Sequence, residues 1–180
     1  TVTVESGMKY GELAPYLHEN GFALHNIASL PHISIAGAVS TLTHGSGIKN
    51  GNLSTAVLGI EFINAAGELV NLTKKNDGDK FNGAVEALGA FGVVTKLTLE
   101  LQPTFNMKQV VYRNLAMSEL EKNFNEIMGS GYSVSLFTDW KNKNINEVWV
   151  KSKVENENDA ARPELFGAKL SQQNLHPIET

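Results

Sequence analysis

The chain has 180 residues, no cysteine and a formal net charge of −4. The absence of cysteine excludes disulfide bonds, thiolate metal sites and cysteine nucleophiles, and the mild acidity argues against a nucleic-acid-binding surface. No apolar run approaches the roughly 18 residues of a membrane span, and the opening TVTVESG lacks a signal-peptide pattern. With 42% hydrophobic residues the chain can bury a substantial core. We expect a cytoplasmic protein without nucleic-acid or membrane partners.

The first quarter of the chain predicts a strand followed by a helix. Val2 and Val4 alternate with polar residues, which is typical of a half-buried strand. Gly21 after Asn20 predicts the C-terminal end of the helix, and Leu24–Ile27 is expected to be extended. The helix has an apolar face at the spacing i, i+3, i+4 and i+7, made by Tyr10, Leu13, Ala14 and Leu17.

A β-hairpin is predicted next. The run AVLGIEFIN indicates a strand that carries Leu58, Ile60 and Phe62 on one face, and AAGE turns it into a second strand, LVNL. The segment TKKNDGDK is expected to be a polar loop. A short helix then ends at Gly89 and buries Phe81, Ala84, Val85 and Leu88.

A one-sided strand follows, in which leucines from Leu97 to Leu101 alternate with polar residues and which ends at Pro103. The second half of the chain predicts the strands MKQVVYRNL, YSVSLFT and EVWVKSK, and VENENDAARPE is expected to be a polar linker. A capping box at Ser118–Glu121 predicts a helix start. The buried face of this helix is expected to contain Leu120, Phe124, Ile127 and Met128.

Strands and helices do not alternate regularly, which favours an α+β fold over a doubly wound sheet. We expect a boundary near Gln102–Asn106. Both ends resemble cuts, since the chain opens directly in a strand and closes on LSQQNLHPIET, so we expect a fragment of a longer protein.

Small side chains dominate Ala28–Gly47, whose sequence is ASLPHISIAGAVSTLTHGSG. Neither Lys nor Arg occurs between Lys9 and Lys49, so an anion bound here would depend on backbone N–H groups, which need glycines and small side chains for close approach. A tightly packed turn region is the open alternative. The residues that would supply the anion-binding surface are Ser34, Gly37, Ser40, Thr41, Thr43, Gly45, Ser46 and Gly47.

Other short motifs in the sequence do not match the spacing of known functional sites. Gly45, Gly47 and Gly51 miss the dinucleotide-binding spacing by one residue, and Ser46 lies in HGSG rather than in the G-x-S-x-G of a hydrolase elbow. No pair of histidines has the i, i+4 spacing of a zinc helix, so no metal site is predicted. His18 is expected on a helix surface and His176 in the tail.

The segments NIASLPHISIAGAVSTLTHGSG and LGAFGVVTKLTLEL resemble the alditol (xylitol) oxidases. These belong with the sugar-lactone oxidases in the vanillyl-alcohol-oxidase type of FAD enzymes, and the resemblance continues through YSVSLFTDW and VWVK. It implies that residues 1–102 form the second subdomain of a PCMH-type FAD-binding domain. Residues 103–180 would begin an α+β cap domain that shapes the substrate site.

The resemblance also implies roles for particular residues. Ser34, Gly37 and the run Thr41, Leu42, Thr43 and His44 would contact FAD, and Val94 would do so through its backbone. Ser29 would lie beside the flavin and hydrogen-bond the substrate or the ring. The family's motif for covalent flavin attachment is absent, and the groups that surround its reacting alcohol do not occur here. No catalytic residue is therefore predicted within this chain.

The implied reaction is the oxidation of a primary alcohol of a polyol, such as xylitol or sorbitol, with oxygen as acceptor and hydrogen peroxide as product. The protein is expected to be a monomer, and this chain alone is expected to be inactive and to hold any flavin non-covalently. Two alternatives remain: a sugar-lactone oxidase or dehydrogenase of the same family, and a non-catalytic module that kept the fold.

Overall fold

A computed structural model describes residues 1–154, 160–173 and 175. The chain divides into two compact units, Thr1–Gly45 with Asn50–Thr104, and Ser46–Lys49 with Phe105–Thr180. Helices and strands are mixed, and the strand pairs in the described ranges are antiparallel, which fits the expected α+β class. No helix among these residues is long and apolar enough to cross a membrane.

The first unit is built on a four-stranded sheet with the order β1-β5-β3-β4. A separate pairing joins the short strands β2 and β6. The elements in chain order are β1 (Val2–Glu5), α1 (Tyr10–Glu19), β2 (Phe22–Ala23), α2 (Ile35–Ser40), a 3₁₀ helix (Leu53–Ala56), β3 (Val57–Ile63), β4 (Leu69–Thr73), α3 (Lys74–Val85), β5 (Val93–Leu99) and β6 (Gln102–Pro103).

The core of this unit lies between one face of the sheet and the helices. Leu97 and Leu99 of β5 are almost fully buried, as the alternating pattern predicts. The predicted apolar face of α1 is confirmed, because Tyr10, Leu13 and Leu17 all belong to the same core cluster. Ile35 and Val39 bring α2 into this cluster, so the segment of small residues is anchored on the core.

The predicted hairpin of β3 and β4 is confirmed, but Leu58 does not share the buried face. A register shift between Val57 and Gly59 in the pairing of β3 with β5 moves Val57 onto the face of Ile60 and Phe62 instead. Such a bulge adds one residue to one strand and reverses the alternation before it. Alternation alone cannot reveal a bulge.

Two further expectations for the first unit are wrong. The predicted polar loop is largely the beginning of α3, because the Asp77 carboxylate accepts the backbone N–H of Thr73 at 2.7 Å and stabilises the helix start. The helix contains a kink at Gly78, whose φ is +48°. Leu88 lies beyond its end with a φ of +52° and is exposed, whereas Phe81, Ala84 and Val85 are buried as predicted.

The second unit is a five-stranded sheet with the order β10-β11-β7-β9-β8. The predicted strands of the second half correspond to β7, β8 and β9. Val148 and Val150 of β9 are buried against Leu115 of β7 and Ile127. The elements are β7 (Met107–Ala116), α4 (Met117–Lys122), α5 (Phe124–Met128), β8 (Ser133–Phe137), β9 (Asn144–Lys153), β10 (Glu164–Leu165) and β11 (Ala168–Leu170).

The predicted capping box at Ser118 is wrong. The N-cap residue of α4 is Ala116, and the backbone N–H of Met117 donates to the Lys143 carbonyl at 2.9 Å. Asn123 then interrupts the helix, since its side-chain amide donates to the Glu119 carbonyl at 3.1 Å.

The interruption at Asn123 divides the predicted helix into α4 and α5 and leaves Phe124 exposed. Leu120 and Ile127 are buried as predicted, and Met128 packs on the same cluster. The central part of the polar linker and His176 lie outside the described residues.

Candidate functional site

The segment of small residues consists of an irregular stretch, the helix α2 and a turn, all in the first unit. The Ser34 hydroxyl is the N-cap of α2 and accepts the Gly37 backbone N–H at 3.3 Å. Two backbone bonds tie the helix start to the residues after β1: Ile35 donates to the Met8 carbonyl at 2.8 Å, and Ala36 to the Ser6 carbonyl at 3.3 Å. The segment is thus positioned by the sheet.

Many backbone N–H groups between Ser34 and Thr43 already have acceptors within the chain. Ser34–Ser40 forms a cap and a helix rather than an extended backbone. In the turn that follows the helix, the backbone N–H groups donate to carbonyl groups of α2. Acceptors inside the chain already bind the N–H groups of Ile35, Ala36, Gly37, Ala38, Thr41, Leu42 and Thr43.

Open backbone donors remain on both sides of α2. Within the described part of the chain, the N–H groups of Ser29 and His32 before the helix, and of His44 and Gly45 after it, have no intramolecular acceptor. Ser29, His32 and His44 are also exposed. Backbone N–H groups in this state are available to an anionic ligand without breaking any bond of the fold.

The turn Thr41–His44 is held by hydroxyl and backbone hydrogen bonds. The Thr41 hydroxyl donates to the Gly37 carbonyl at 2.9 Å and lies 3.2 Å from the Thr43 hydroxyl. Thr43 donates its N–H to the Ala38 carbonyl at 3.0 Å. Leu42 between them has a φ of +57°, and its side chain is 43% exposed. A left-handed leucine is strained, and strain of this kind is concentrated at functional sites.

His44 continues the turn with its ring at the surface. Its Nδ1 lies 2.9 Å from the Gly45 carbonyl oxygen, which can only accept, so Nδ1 carries the proton in this contact. In the neutral ring, Nε2 is then an acceptor. This arrangement is compatible with a hydrogen bond from a ligand hydroxyl or N–H group.

Ser29 lies in the irregular stretch between two exposed apolar side chains. Ile27 is 48% exposed and Leu30 is 52% exposed, although neighbouring Ala28 is buried. Neither Ile27 nor Leu30 was predicted as a site residue. Their exposure could have been suspected from two bulky apolar residues, three positions apart, in a segment otherwise dominated by small ones.

Val94 lies in β5, opposite Phe62 of β3. On its other edge, β5 pairs with β1 at residues 96–99, and no strand of the described residues covers Val94 on that edge. Ser6 links this region to α2, because its N–H donates to the Thr95 carbonyl at 2.8 Å while its carbonyl accepts from Ala36. The structure therefore brings Val94 close to the start of α2, and Ser6 is a positioning residue that the sequence did not reveal.

Two glycines of the segment are required by the packing of the chain itself. A Cβ atom at Gly37 would lie 2.8 Å from the Ser34 hydroxyl oxygen, and one at Gly45 would overlap the Asn26 side-chain amide. The packing alternative therefore explains why these two positions lack side chains. It does not explain the exposed Leu42 or the open N–H groups.

The remaining features suit a ligand that combines an anionic group with a planar ring. The open N–H groups can bind the anion, and the exposed side chains of Ile27, Leu30 and Leu42 can cover the ring. No cluster of three or more His, Asp or Glu side chains suitable for a metal occurs in residues 1–154, 160–173 and 175. The donor set of this segment consists of backbone N–H groups and hydroxyl groups.

Comparison with known proteins agrees with this donor set. Residues 1–73 match the model of the FAD binding domain family. The chain is 43% identical to alditol oxidase from a Streptomyces species over 178 residues, which cover 99% of the chain and 41% of that protein.

The sequences of two lactone enzymes are also similar to this chain. The chain is 31% identical to D-arabinono-1,4-lactone oxidase of Candida albicans over 94% of the chain and 30% of that protein. It is 35% identical to L-gulono-1,4-lactone dehydrogenase of Mycobacterium tuberculosis over 67% of the chain and 28% of that protein. The chain thus spans less than half the length of these relatives. It is similar to the FAD-binding proteins that include alditol oxidase and the sugar-lactone oxidases, and FAD is its cofactor.

Proposed function

We propose that this chain is part of an FAD-dependent oxidase that converts a primary alcohol of a polyol to an aldehyde, with oxygen as acceptor and hydrogen peroxide as product. Residues 1–102 are the second subdomain of the FAD-binding domain, and residues 103–180 begin the cap domain. The observation that carries the proposal is the Thr41–His44 turn, in which the strained Leu42 is presented to solvent. Similarity to alditol oxidase along almost the whole chain supports the polyol substrate.

The residues around α2 hold the cofactor in this proposal. The hydroxyl bonds of Thr41 fix the turn before any ligand binds, so little conformational entropy is lost on binding. The N–H groups of His44 and Gly45 bind the pyrophosphate, and Leu42 packs against the ring system. Val94 contributes its uncovered backbone edge.

FAD held here would supply the redox chemistry: it would take a hydride, which carries both electrons, from the alcohol carbon, the hydroxyl proton would leave separately, and oxygen would be the final acceptor. The chain's own residues bind the cofactor, orient the substrate and exclude water from the site. The Ser29 hydroxyl orients the substrate hydroxyl, but a neutral serine cannot remove its proton. In the described ranges no His, Asp or Glu side chain forms a hydrogen bond to Ser29 that could activate it. We therefore assign no catalytic base to these residues.

A sugar-lactone oxidase or dehydrogenase is the second candidate. It is supported by the similarity to D-arabinono-1,4-lactone oxidase and to L-gulono-1,4-lactone dehydrogenase. These enzymes share the cofactor and differ in the substrate or in the electron acceptor, and both choices depend on groups around the reacting carbon. A non-catalytic module that kept only the fold is the third candidate.

The experiment that separates these candidates uses the full gene product that contains these residues. The purified protein is supplied with xylitol, sorbitol or L-gulono-1,4-lactone, and hydrogen peroxide is measured against a blank without substrate. Peroxide release with the polyols but not with the lactone is the expected result. Peroxide from the lactone alone supports a lactone oxidase, and lactone-dependent reduction of an artificial acceptor without peroxide supports a dehydrogenase. A colourless protein without bound flavin would contradict the proposal.

A further inference from the structure

Asn26 lies at the start of the irregular stretch that carries Ser29, and its side chain is half-buried. Its side-chain oxygen Oδ1 accepts the backbone N–H of Ile27 at 3.0 Å. Its Nδ2 donates to the Gly51 carbonyl at 3.5 Å, which joins two residues 25 positions apart in the sequence. The side-chain amide is therefore oriented by one local and one distant backbone group.

Gly45 lies against the same amide. A Cβ atom built on Gly45 would be 2.3 Å from Oδ1, 2.7 Å from Nδ2 and 2.8 Å from Cγ of Asn26. A real Cβ atom essentially never approaches another atom this closely, so the amide occupies the space that a side chain at residue 45 would need. The φ of Gly45 is not positive. Contact with Asn26, rather than an unusual backbone conformation, therefore requires glycine here.

Gly45 and Gly51 belong to the two ends of one loop, residues 44–52. Leu53 closes this loop by donating its N–H to the Thr43 carbonyl at 3.0 Å. The Asn26 amide touches both ends, because it packs against Gly45 and donates to the Gly51 carbonyl. Asn26 thus sets the separation between the two ends of the loop.

We propose that Asn26 is a positioning residue of the cofactor site, because its amide determines where the backbone of Gly45 lies. This inference rests on the proposed function, in which the N–H groups of His44 and Gly45 bind the pyrophosphate. Those two N–H groups have no acceptor within the described part of the chain. Hydrogen bonds weaken steeply when the donor is displaced or misaligned, so the position of this backbone decides how well an anion is bound.

Truncation of Asn26 to alanine would remove both hydrogen bonds of the amide and open a space beside Gly45. Glycine has the largest conformational freedom of any residue, so an unsupported Gly45 would sample more backbone conformations. Binding of the cofactor would then have to order this backbone, which lowers affinity. The expected effect is therefore on cofactor binding, although Asn26 itself touches no cofactor atom in this role.

The test titrates FAD into the FAD-free form of the full gene product that contains these residues, followed by flavin fluorescence. Asn26→Ala should raise the FAD dissociation constant about tenfold, which corresponds to the weakening of one charge-assisted hydrogen bond. Asn20→Ala is the matched control, because it also loses a side-chain bond to a carbonyl group, that of Tyr16 at 2.8 Å. It should leave the dissociation constant unchanged. A lower thermal midpoint of Asn26→Ala with unchanged FAD affinity would show a merely structural role and overturn the proposal.

A second substitution tests the contact between Asn26 and Gly45 directly. Gly45→Ala should weaken FAD binding by more than about tenfold, because the new methyl group meets the Asn26 amide. In the Asn26→Ala background the same change should cost less than about threefold, since the space is then free. Gly83→Ala is the control for an added methyl group, because nothing lies within 4 Å of a Cβ atom there.

Thermal midpoints are measured for every variant. If Gly45→Ala does not fold, addition of Asn26→Ala should restore a cooperative unfolding transition, which is the same rescue measured by stability. An equal loss of FAD affinity, or an equal loss of folding, in both backgrounds would overturn the proposal. Absence of FAD binding by the unsubstituted protein would overturn the proposed function itself, and this inference with it, so the two failures are distinguishable.

Discussion

Substitution of Ser34 by alanine removes the side-chain cap of α2. The Ser34 hydroxyl accepts the Gly37 N–H, and no other side chain of the described residues caps the N-terminus of this helix. Loss of an N-cap costs about 1 kcal/mol in general. The 3.3 Å bond is long and the site is exposed, so the expected loss lies in the lower half of the usual range, about 0.5–1 kcal/mol. Ser34→Gly should cost only a few tenths of a kcal/mol.

Ser118 is the matched control because it also lies at the start of a short helix. It is exposed, and Ala116 rather than Ser118 is the N-cap. Ser118→Ala is therefore expected to change stability by less than about 0.5 kcal/mol, as at an ordinary surface position.

Tryptophan fluorescence is unsuitable for this comparison, since Trp140 and Trp149 both belong to the second unit. Hydrogen exchange measured by mass spectrometry follows each helix separately. Ser34→Ala should accelerate exchange in the peptide that covers residues 35–43 by about two- to fivefold, the equivalent of the lost free energy. Ser118→Ala should leave exchange in residues 117–128 unchanged. Unchanged exchange in the first peptide, or faster exchange in the second, would refute the assignment of the two caps.

Three further outcomes are expected. Burial raises the pKa of Tyr10 from 10.0 to about 12. Between these pH values the folded state keeps a proton that the unfolded state loses. The free energy of unfolding is therefore expected to fall as the pH rises from about 10 to 12. Urea midpoints against pH should show this loss reduced in Tyr10→Phe but not in the exposed control Tyr16→Phe. Gly37→Val should weaken FAD binding more than Ser34→Ala does, because both lose the cap but only valine fills the space beside it; equal dissociation constants would contradict contact between Gly37 and FAD. The 180-residue chain with FAD and xylitol should release no hydrogen peroxide above a blank, and steady turnover would show that an active base lies within it.

Regular patterns in the sequence predicted most of the first unit. Both α1 and β5 bury one face in the core, and the spacing of their apolar residues along the sequence shows which face that is. The helix α2 was not predicted, although Ile35, Ala38 and Val39 have helical spacing, because small side chains dominate this segment.

The errors arose where contacts distant in sequence replaced a local signal. Met117 donates to the Lys143 carbonyl, so α4 begins before Ser118 and needs no serine cap. The error at α3 has a local cause instead, because Asp77 accepts the N–H of Thr73, four residues before it, in a stretch whose composition indicates a loop. Neither contact can be read from local periodicity.

The sequence indicated which segment forms the candidate site, but it did not indicate the three-dimensional arrangement of that segment. The absence of cations and the small side chains predicted an anion site made by backbone groups, and this stays a prediction. Which N–H groups stay open depends on the helix and on the tertiary bonds to Ser6 and Met8. The left-handed backbone of Leu42 has no sequence signal, since leucine gives no indication of a positive φ.

The most direct test of the proposed cofactor site compares two leucines that both have a positive φ and an exposed side chain, Leu42 and Leu88. Asparagine tolerates the left-handed conformation, so neither Leu→Asn variant should strain the backbone. The 43% of Leu42 that remains exposed would contribute about 1 kcal/mol if the flavin covered it. Titration of the FAD-free protein, followed by flavin fluorescence, should therefore show about fivefold weaker binding for Leu42→Asn and unchanged binding for Leu88→Asn. Equal dissociation constants for the two variants, or no FAD binding by the unsubstituted protein, would contradict the assignment of this turn to the cofactor.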